Sequence, residues 1–140
     1  MAEYFIIPEN INSFEDINIP LNITYVDCSN RNFTSFIGCP DHITHLYCSY
    51  NQITSFEHLP NSVTVLDCSY NQITSFEHLP DSIIKLICLN NQITRFEHFP
   101  NSITKLICSN NPCYPIYREL GLNGIHEQNN ILDIKEPECD

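Results

Sequence analysis

Three Glu-His pairs, Glu57-His58, Glu77-His78 and Glu97-His98, recur at intervals of twenty residues. Imidazoles beside carboxylates are zinc-ligand chemistry, and three such pairs stacked in one column could hold that ion. Duplicated units nevertheless copy their surface residues whatever those residues do, and neighbouring columns of a flat ladder rarely converge on one point. A metal-binding protein built on the His column is therefore the lesser reading, and no metal site is assigned. Five cysteines, Cys28, Cys48, Cys68, Cys88 and Cys108, form a second column at the same spacing. Thiols in apolar surroundings have raised pKa values and are inert, which removes redox and nucleophilic roles. Cys48 and His45 are the nearest Cys–His approach, but the thiol is read as facing the core and the imidazole as facing out. The chain has three glycines in total, too few to build a phosphate-cradling loop. The expectation is a protein that is not an enzyme and carries no cofactor.

Binding chemistry is better supplied. Three further columns step through the chain at the same interval. One reads Tyr25, His45, Val65, Lys85, Lys105; the next reads Asp27, Tyr47, Asp67, Ile87, Ile107. A third reads Asn30, Tyr50, Tyr70, Asn90, Asn110, beside Ser29, Ser49, Ser69, Leu89 and Ser109. The first half of this surface is aromatic and acidic, the second apolar with two lysines. Tyrosine gives large contact area at small entropic cost and is enriched in binding hot spots. The residues assigned to partner contact are Tyr25, Asp27, His45, Tyr47, Tyr50, Asp67, Tyr70, Lys85, Ile87, Lys105 and Ile107. The Tyr and Asp cluster suits a basic or Arg-bearing segment, by hydrogen bonding and cation–π contact. Exposed Ile87, Leu89 and Ile107 would make an apolar patch that takes a partner's aliphatic side chains or pairs with a second copy. The two classes of function that follow are a protein-interaction module and a self-associating structural protein.

What must position these columns is the repeat itself. Ile43-x-x-Leu46-x-Cys48-x-x-Asn51-x-Ile53 returns as Val63, Leu66, Cys68, Asn71, Ile73, then Ile83, Leu86, Cys88, Asn91, Ile93, then Ile103, Leu106, Cys108, Asn111, Cys113. A looser copy precedes them in Ile23, Val26, Cys28 and Phe33. A fixed period of this size marks a solenoid, in which each unit buries its apolar face against its neighbours. The alternation in Leu46-Tyr47-Cys48 and its copies predicts one strand per unit with one buried face, stacked into a parallel sheet. The Asn three residues after each Cys is placed to bond backbone groups that leave the ladder. Arg31 takes that slot in the first unit, flanked by Asn30 and Asn32, so its turn is expected to be distorted. Phe36, Phe56, Phe76 and Phe96 are expected inside as the rear wall. Pro40, Pro60, Pro80 and Pro100 bar a helix from the return segment, which reads as extended or polyproline-like with at most a 3₁₀ turn. Residues 1–20 echo only the second half-repeat, in Ile11-Asn-Ser-Phe14 and Pro20, and read as an N-terminal cap. Residues 21–116 are the repeats. Residues 117–140 read as a C-terminal cap of one or two short helical turns and an acidic, mobile tail.

Bulk composition narrows the partners. The 140 residues make one domain, with 17 acidic against 6 basic side chains and a formal charge of −11. So acidic a chain lacks the basic stripe that phosphate backbones need, which argues against nucleic acid and anionic membranes. The N-terminus has no positive n-region before its very short apolar run, and no stretch approaches spanning length. Successive rungs about 4.8 Å apart, with parallel side chains, suit disulfides poorly, so the cysteine column reads as reduced and the protein as intracellular and cytoplasmic. Asn22-Ile-Thr24 and Asn32-Phe-Thr34 are then not glycosylated. A monomer or weak homo-oligomer is expected.

These units resemble leucine-rich repeats, through the eleven-residue core Ile43-x-x-Leu46-x-Cys48-x-x-Asn51-x-Ile53 and its in-phase copies over roughly residues 21 to 116. The short unit with Leu59-Pro60 is similar to the twenty-residue class of bacterial effectors. The Cys-Ser-Tyr-Asn-Gln-Ile-Thr phrasing is similar to the leucine-rich-repeat proteins of giant amoeba viruses, which would place the chain in host cytoplasm. The resemblance implies a right-handed solenoid that binds other proteins through a concave parallel sheet. Some effectors of this kind add a ubiquitin-ligase domain with a catalytic Cys; this chain is too short for one, and Cys139 in the tail does not replace it.

Overall fold

The computed structural model describes residues 4–135. The acidic tail after Lys135, with Cys139, lies outside the described residues. Six three-residue strands form one parallel sheet in sequential order: β1 (Tyr4–Ile6), β2 (Tyr25–Asp27), β3 (His45–Tyr47), β4 (Val65–Asp67), β5 (Lys85–Ile87) and β6 (Lys105–Ile107). Register is what the period demands, with Val26, Leu46, Leu66, Leu86 and Leu106 opposite one another and buried. Hydrogen bonding outlasts the strands. Cys48 N donates to Asp67 O at 2.8 Å, and Tyr50 N donates to Ser69 O at 3.0 Å.

The first strand was not legible in the repeat. Residues 4–6 pair with 25–27, an offset of twenty-one rather than twenty residues, and Ile7 takes the place of the cysteine, fully buried. The N-terminal region thus adds a strand as well as a half-repeat. After it comes a single 3₁₀ turn, Phe14–Asp16, capped by Ser13 Oγ accepting from Glu15 N at 3.1 Å.

Behind the sheet, Phe36, Phe56 and Phe76 are fully buried and Phe96 nearly so, forming the expected rear wall. The return segment has no helix before each proline. It turns once, with Leu59 N donating to Phe56 O at 3.1 Å while His58 holds φ 70°. A positive φ at the third residue is the requirement of a type II turn. His78 and His98 repeat it at 68° and 64°, and the first unit fills the same place with Gly38 at 85°. A second turn, such as Val63 N to Pro60 O at 3.3 Å, leads each proline back into its strand.

The asparagines knit the units together. Asn71 Nδ2 donates to Cys48 O and Cys68 O at 3.0 Å and to Ser69 O at 3.2 Å, while its Oδ1 accepts from Ile53 N at 2.9 Å. Asn51, Asn91 and Asn111 do the same, and all four are buried. Arg31 supplies only the donor half of this arrangement. Its Nε donates to Ile7 O at 2.8 Å and its Nη1 to Ser29 O at 3.2 Å. No acceptor is needed there, because Ile11 N, which aligns with Phe33 N, already donates to Pro8 O at 3.0 Å. The distortion expected around Arg31 takes the form of one extra left-handed residue, Asn32 at φ 62°, since Asn30 at 61° has a left-handed counterpart in every later unit.

The C-terminal end is closed by far more helix than one or two short turns. α1 runs Tyr114–Lys135, broken at Gly121, where φ 70° and ψ 174° leave the helical region. Pro115 sits in the first turn, where a missing N–H costs nothing. Ile125 is buried against the last repeat, His126 Nε2 bonds Ile103 O at 2.9 Å, and Asn129 Nδ2 donates to Phe96 O at 2.9 Å. The prolines and glycines here mark the two helix starts and the break between them rather than an absence of helix.

Candidate functional site

On the sheet face opposite the core, β1 to β3 bring four rings together. Tyr25 and His45 stack at 3.8 Å between centroids with 8° between planes. Tyr4 stands at 80° to Tyr25, 5.3 Å away, and lies 5.7 Å from Tyr47. Such pairs contribute about 0.5–1.5 kcal/mol each beyond their burial. Tyr4 is 56% exposed and is the member of the cluster that the twenty-residue phase overlooks. The signal for it was the alternation Tyr4-Phe5-Ile6-Ile7, one residue out of step with Tyr25-Val26-Asp27-Cys28.

Tyr47 lies between Asp27 and Asp67 in the strand register. Partial burial first of all, then the neighbouring hydroxyls of Tyr4 and Tyr25 and the nearby charge of Asp67, push its phenol up to about 12, so it remains a neutral donor. Burial lowers the His45 pKa, which keeps a neutral imidazole in the stack, with Nδ1 3.0 Å from Thr44 Oγ1. Asp27 Oδ1 accepts from Ser29 N at 2.9 Å; Asp67 Oδ1 accepts from Ser69 N at 3.1 Å and Ser69 Oγ at 2.8 Å. The second oxygen of each carboxylate has no protein partner among the described residues, and neither Asp forms an ion pair there.

Tyr50 and Tyr70 lie just past the strands, stacked at 4.4 Å with 6° between planes and exposed by 56% and 42%. Both are left-handed, at φ 58° and 56°, where the other units carry Asn30, Asn90 and Asn110. A bulky aromatic in that region is an outlier, because its Cβ crowds the following carbonyl, whereas Asn is tolerated. Further down the face the character changes. Lys85 and Ile87 on β5 are half-buried, Lys105 on β6 is exposed, and Ile107 is 38% exposed. All eleven residues assigned from sequence therefore lie on the sheet face or at its strand ends. Tyr25, His45 and Tyr47 join Tyr4 in one aromatic cluster, and Tyr50 and Tyr70 make a separate stack.

Within the described residues the family model described as Leucine Rich repeats (2 copies) matches residues 41–81. Among solved structures the chain is similar to YopM from Yersinia enterocolitica WA-314, with a TM-score of 0.53 and 24% identity over 68% of this chain. The fold is a leucine-rich-repeat solenoid. The match covers 26% of the YopM chain, so this chain spans about a quarter of that protein's length. No curated protein matches the sequence. Leucine-rich-repeat proteins typically mediate protein–protein interaction, and their scaffolds are generally non-enzymatic.

The other columns offer less chemistry. The thiols of Cys28, Cys48, Cys68, Cys88 and Cys108 are buried, and burial first of all pushes those of Cys48, Cys68 and Cys88 up. Cys48 Sγ donates to Asp67 O at 3.3 Å, so the thiol faces inward while His45 faces out. On the opposite face, His58 Nε2 lies 3.9 Å from Glu57 and His78 Nε2 lies 3.8 Å from Glu77, each histidine turned to its own repeat. Among the described residues no three His, Cys, Asp or Glu side chains come together as a metal set. No helix there is long and apolar enough to cross a membrane.

Proposed function

We propose that the protein is a non-enzymatic interaction module that binds a partner protein through the concave sheet of the solenoid. Contact is centred on the rings of Tyr4, Tyr25, His45 and Tyr47 and the carboxylates of Asp27 and Asp67. One observation carries this reading: Tyr50 and Tyr70 occupy left-handed backbone in the open, where sister units use Asn. A strained, exposed aromatic pair points to a role outside the fold, since folding alone would favour the asparagine. The upper face suits a basic segment, and Ile87 and Ile107 suit aliphatic side chains beyond it. Binding takes place in an intracellular setting, where the buried thiols stay reduced.

The test is capture from lysate by the wild type and by a Tyr47→Thr, Tyr50→Asn, Tyr70→Asn variant. These replacements keep the β-former and restore the residue that sister turns use, so fold and monomer mass should match the wild type. Partners held by the wild type alone are the expected result; identical captures would sink the reading. Self-association is the second reading. It is favoured by exposed isoleucines on both outermost strands, Ile6 at 65% and Ile107 at 38%. Scattering mass that rises with concentration would support it.

A further inference from the structure

Asp27, Tyr47, Asp67, Ile87 and Ile107 occupy successive rungs of one column, held by the strand register. Rungs of a sheet are about 4.8 Å apart, so the two carboxylates stand roughly 9.6 Å apart with a tyrosine ring between them. Two rungs further on is Ile107. A peptide lying along this column needs side chains that return to the same face at that interval. A β-strand returns after two residues, at about 6.6 Å, and misses it. A polyproline II helix returns after three residues, at about 9.3 Å, and matches it to a few tenths of an ångström.

Resting on the proposed binding function, we infer that the partner segment is a polyproline II peptide with arginines at i and i+3 and an aliphatic residue at i+6, or the reverse order. The first arginine meets the free oxygen of Asp27, the second that of Asp67, and the aliphatic side chain covers Ile107. The intervening turn lies across Tyr47, whose neutral hydroxyl donates to a peptide carbonyl. Arginine fits better than lysine because a planar guanidinium both stacks on a ring and bonds a carboxylate. Charge sets the placement. The chain carries −11 overall, Asp27 and Asp67 form no ion pair among the described residues, and Lys85 and Lys105 repel a basic group from the lower rungs.

The test uses labelled peptides and fluorescence anisotropy at physiological salt. The matched sequences are Arg-Pro-Pro-Arg-Pro-Pro-Leu and its reverse. Controls carry arginines at i and i+2, arginines at i and i+4, or lysines at i and i+3. We expect one matched order to bind at least tenfold more tightly than every control, and Asp27→Asn or Asp67→Asn each to remove most of that advantage. Affinities that follow net peptide charge whatever the spacing would overturn the inference, as would no binding by either matched order. If peptides fail while the tyrosine variant still loses its lysate partners, the spacing argument falls and the sheet-face function stands. If the variant also keeps its partners, both fall.

Discussion

Replacing Asn71 by aspartate changes one NH₂ group into oxygen and should unfold much of what holds the central units together. The side chain is 6% exposed, its Nδ2 serves the carbonyls of Cys48, Cys68 and Ser69, and its Oδ1 accepts from Ile53 N. The new carboxylate keeps the Ile53 bond and loses both donor protons. Two buried carbonyls then lack a donor, at about 1–3 kcal/mol each, and an anion faces three carbonyl oxygens. We expect a loss of about 3–5 kcal/mol at pH 7, a large part of a typical domain's 5–15 kcal/mol. The sign of its pH dependence follows from the same geometry. Burial among carbonyls raises the folded-state pKa of the introduced carboxyl above its unfolded value of about 3.9. Below that value both states are protonated, and the neutral acid recovers one donor. Above it, the unfolded state ionises first, and the variant loses about 1.4 kcal/mol per pH unit against wild type until the folded-state pKa is passed. Urea unfolding of wild type, Asn71→Asp and Asn71→Ala at pH 3.5 and pH 7 reads this directly. A deficit for Asn71→Asp that is below 1 kcal/mol at pH 7, or equal at both pH values, would refute the role given to the ladder.

Three further outcomes follow from other parts of the fold. Gly38→Ala should lose about 2–3 kcal/mol in urea unfolding, because its φ is 85° and a Cβ would lie 2.9 Å from Glu15 Cγ and 3.0 Å from Glu15 N; a neutral result would mean that this turn can shift. Arg31→Ala strips the donor from Ile7 O, so amide exchange should quicken across 4–7 while β4 stays protected, with a global loss of about 1.5–3 kcal/mol; uniform exchange would show that β1 is held by other contacts. The His45 imidazole, its pKa lowered by burial, should titrate by NMR below about 6.5. Its unfolded form takes up the proton first, so its contribution to stability is present above that value and declines as pH falls through it, a decline absent from His45→Phe; a midpoint at or above about 6.5 would contradict this.

Much of this architecture was legible in the repeat, because a period of twenty forces strand, turn and core positions into columns. Leu46, Cys48, Asn51 and Phe56 each sit where their spacing placed them. What escaped was written out of phase or in backbone angles. Tyr4 sits twenty-one residues before Tyr25 and its strand is followed by Ile7 in place of a cysteine, so the cysteine signature gave no sign of it. The left-handed turns were readable only by aligning His58, His78 and His98 with Gly38, and Tyr50 and Tyr70 with Asn30, Asn90 and Asn110. The C-terminal helix was hidden by Pro115, Gly121 and Gly124, which mark its start and its break. The binding columns came directly from the pleat, since residues two apart on a strand share a face. Which of them touch one another depended on ring orientation, and this no spacing rule supplies.

The asparagine ladder has a direction. Each carboxamide reaches back to the unit before it and asks nothing of the unit after it, so the array grows unequally at its two ends. A unit inserted anywhere after β2 brings its own Asn and finds the preceding carbonyl waiting. One inserted between β1 and β2 would meet Arg31, which can give protons but cannot receive the amide that the new neighbour would offer. Arg31 is thus a terminator as well as a brace. Lengthening by duplication is open after β2 and closed between β1 and β2, and a longer descendant of this chain would keep its arginine beside the first rung.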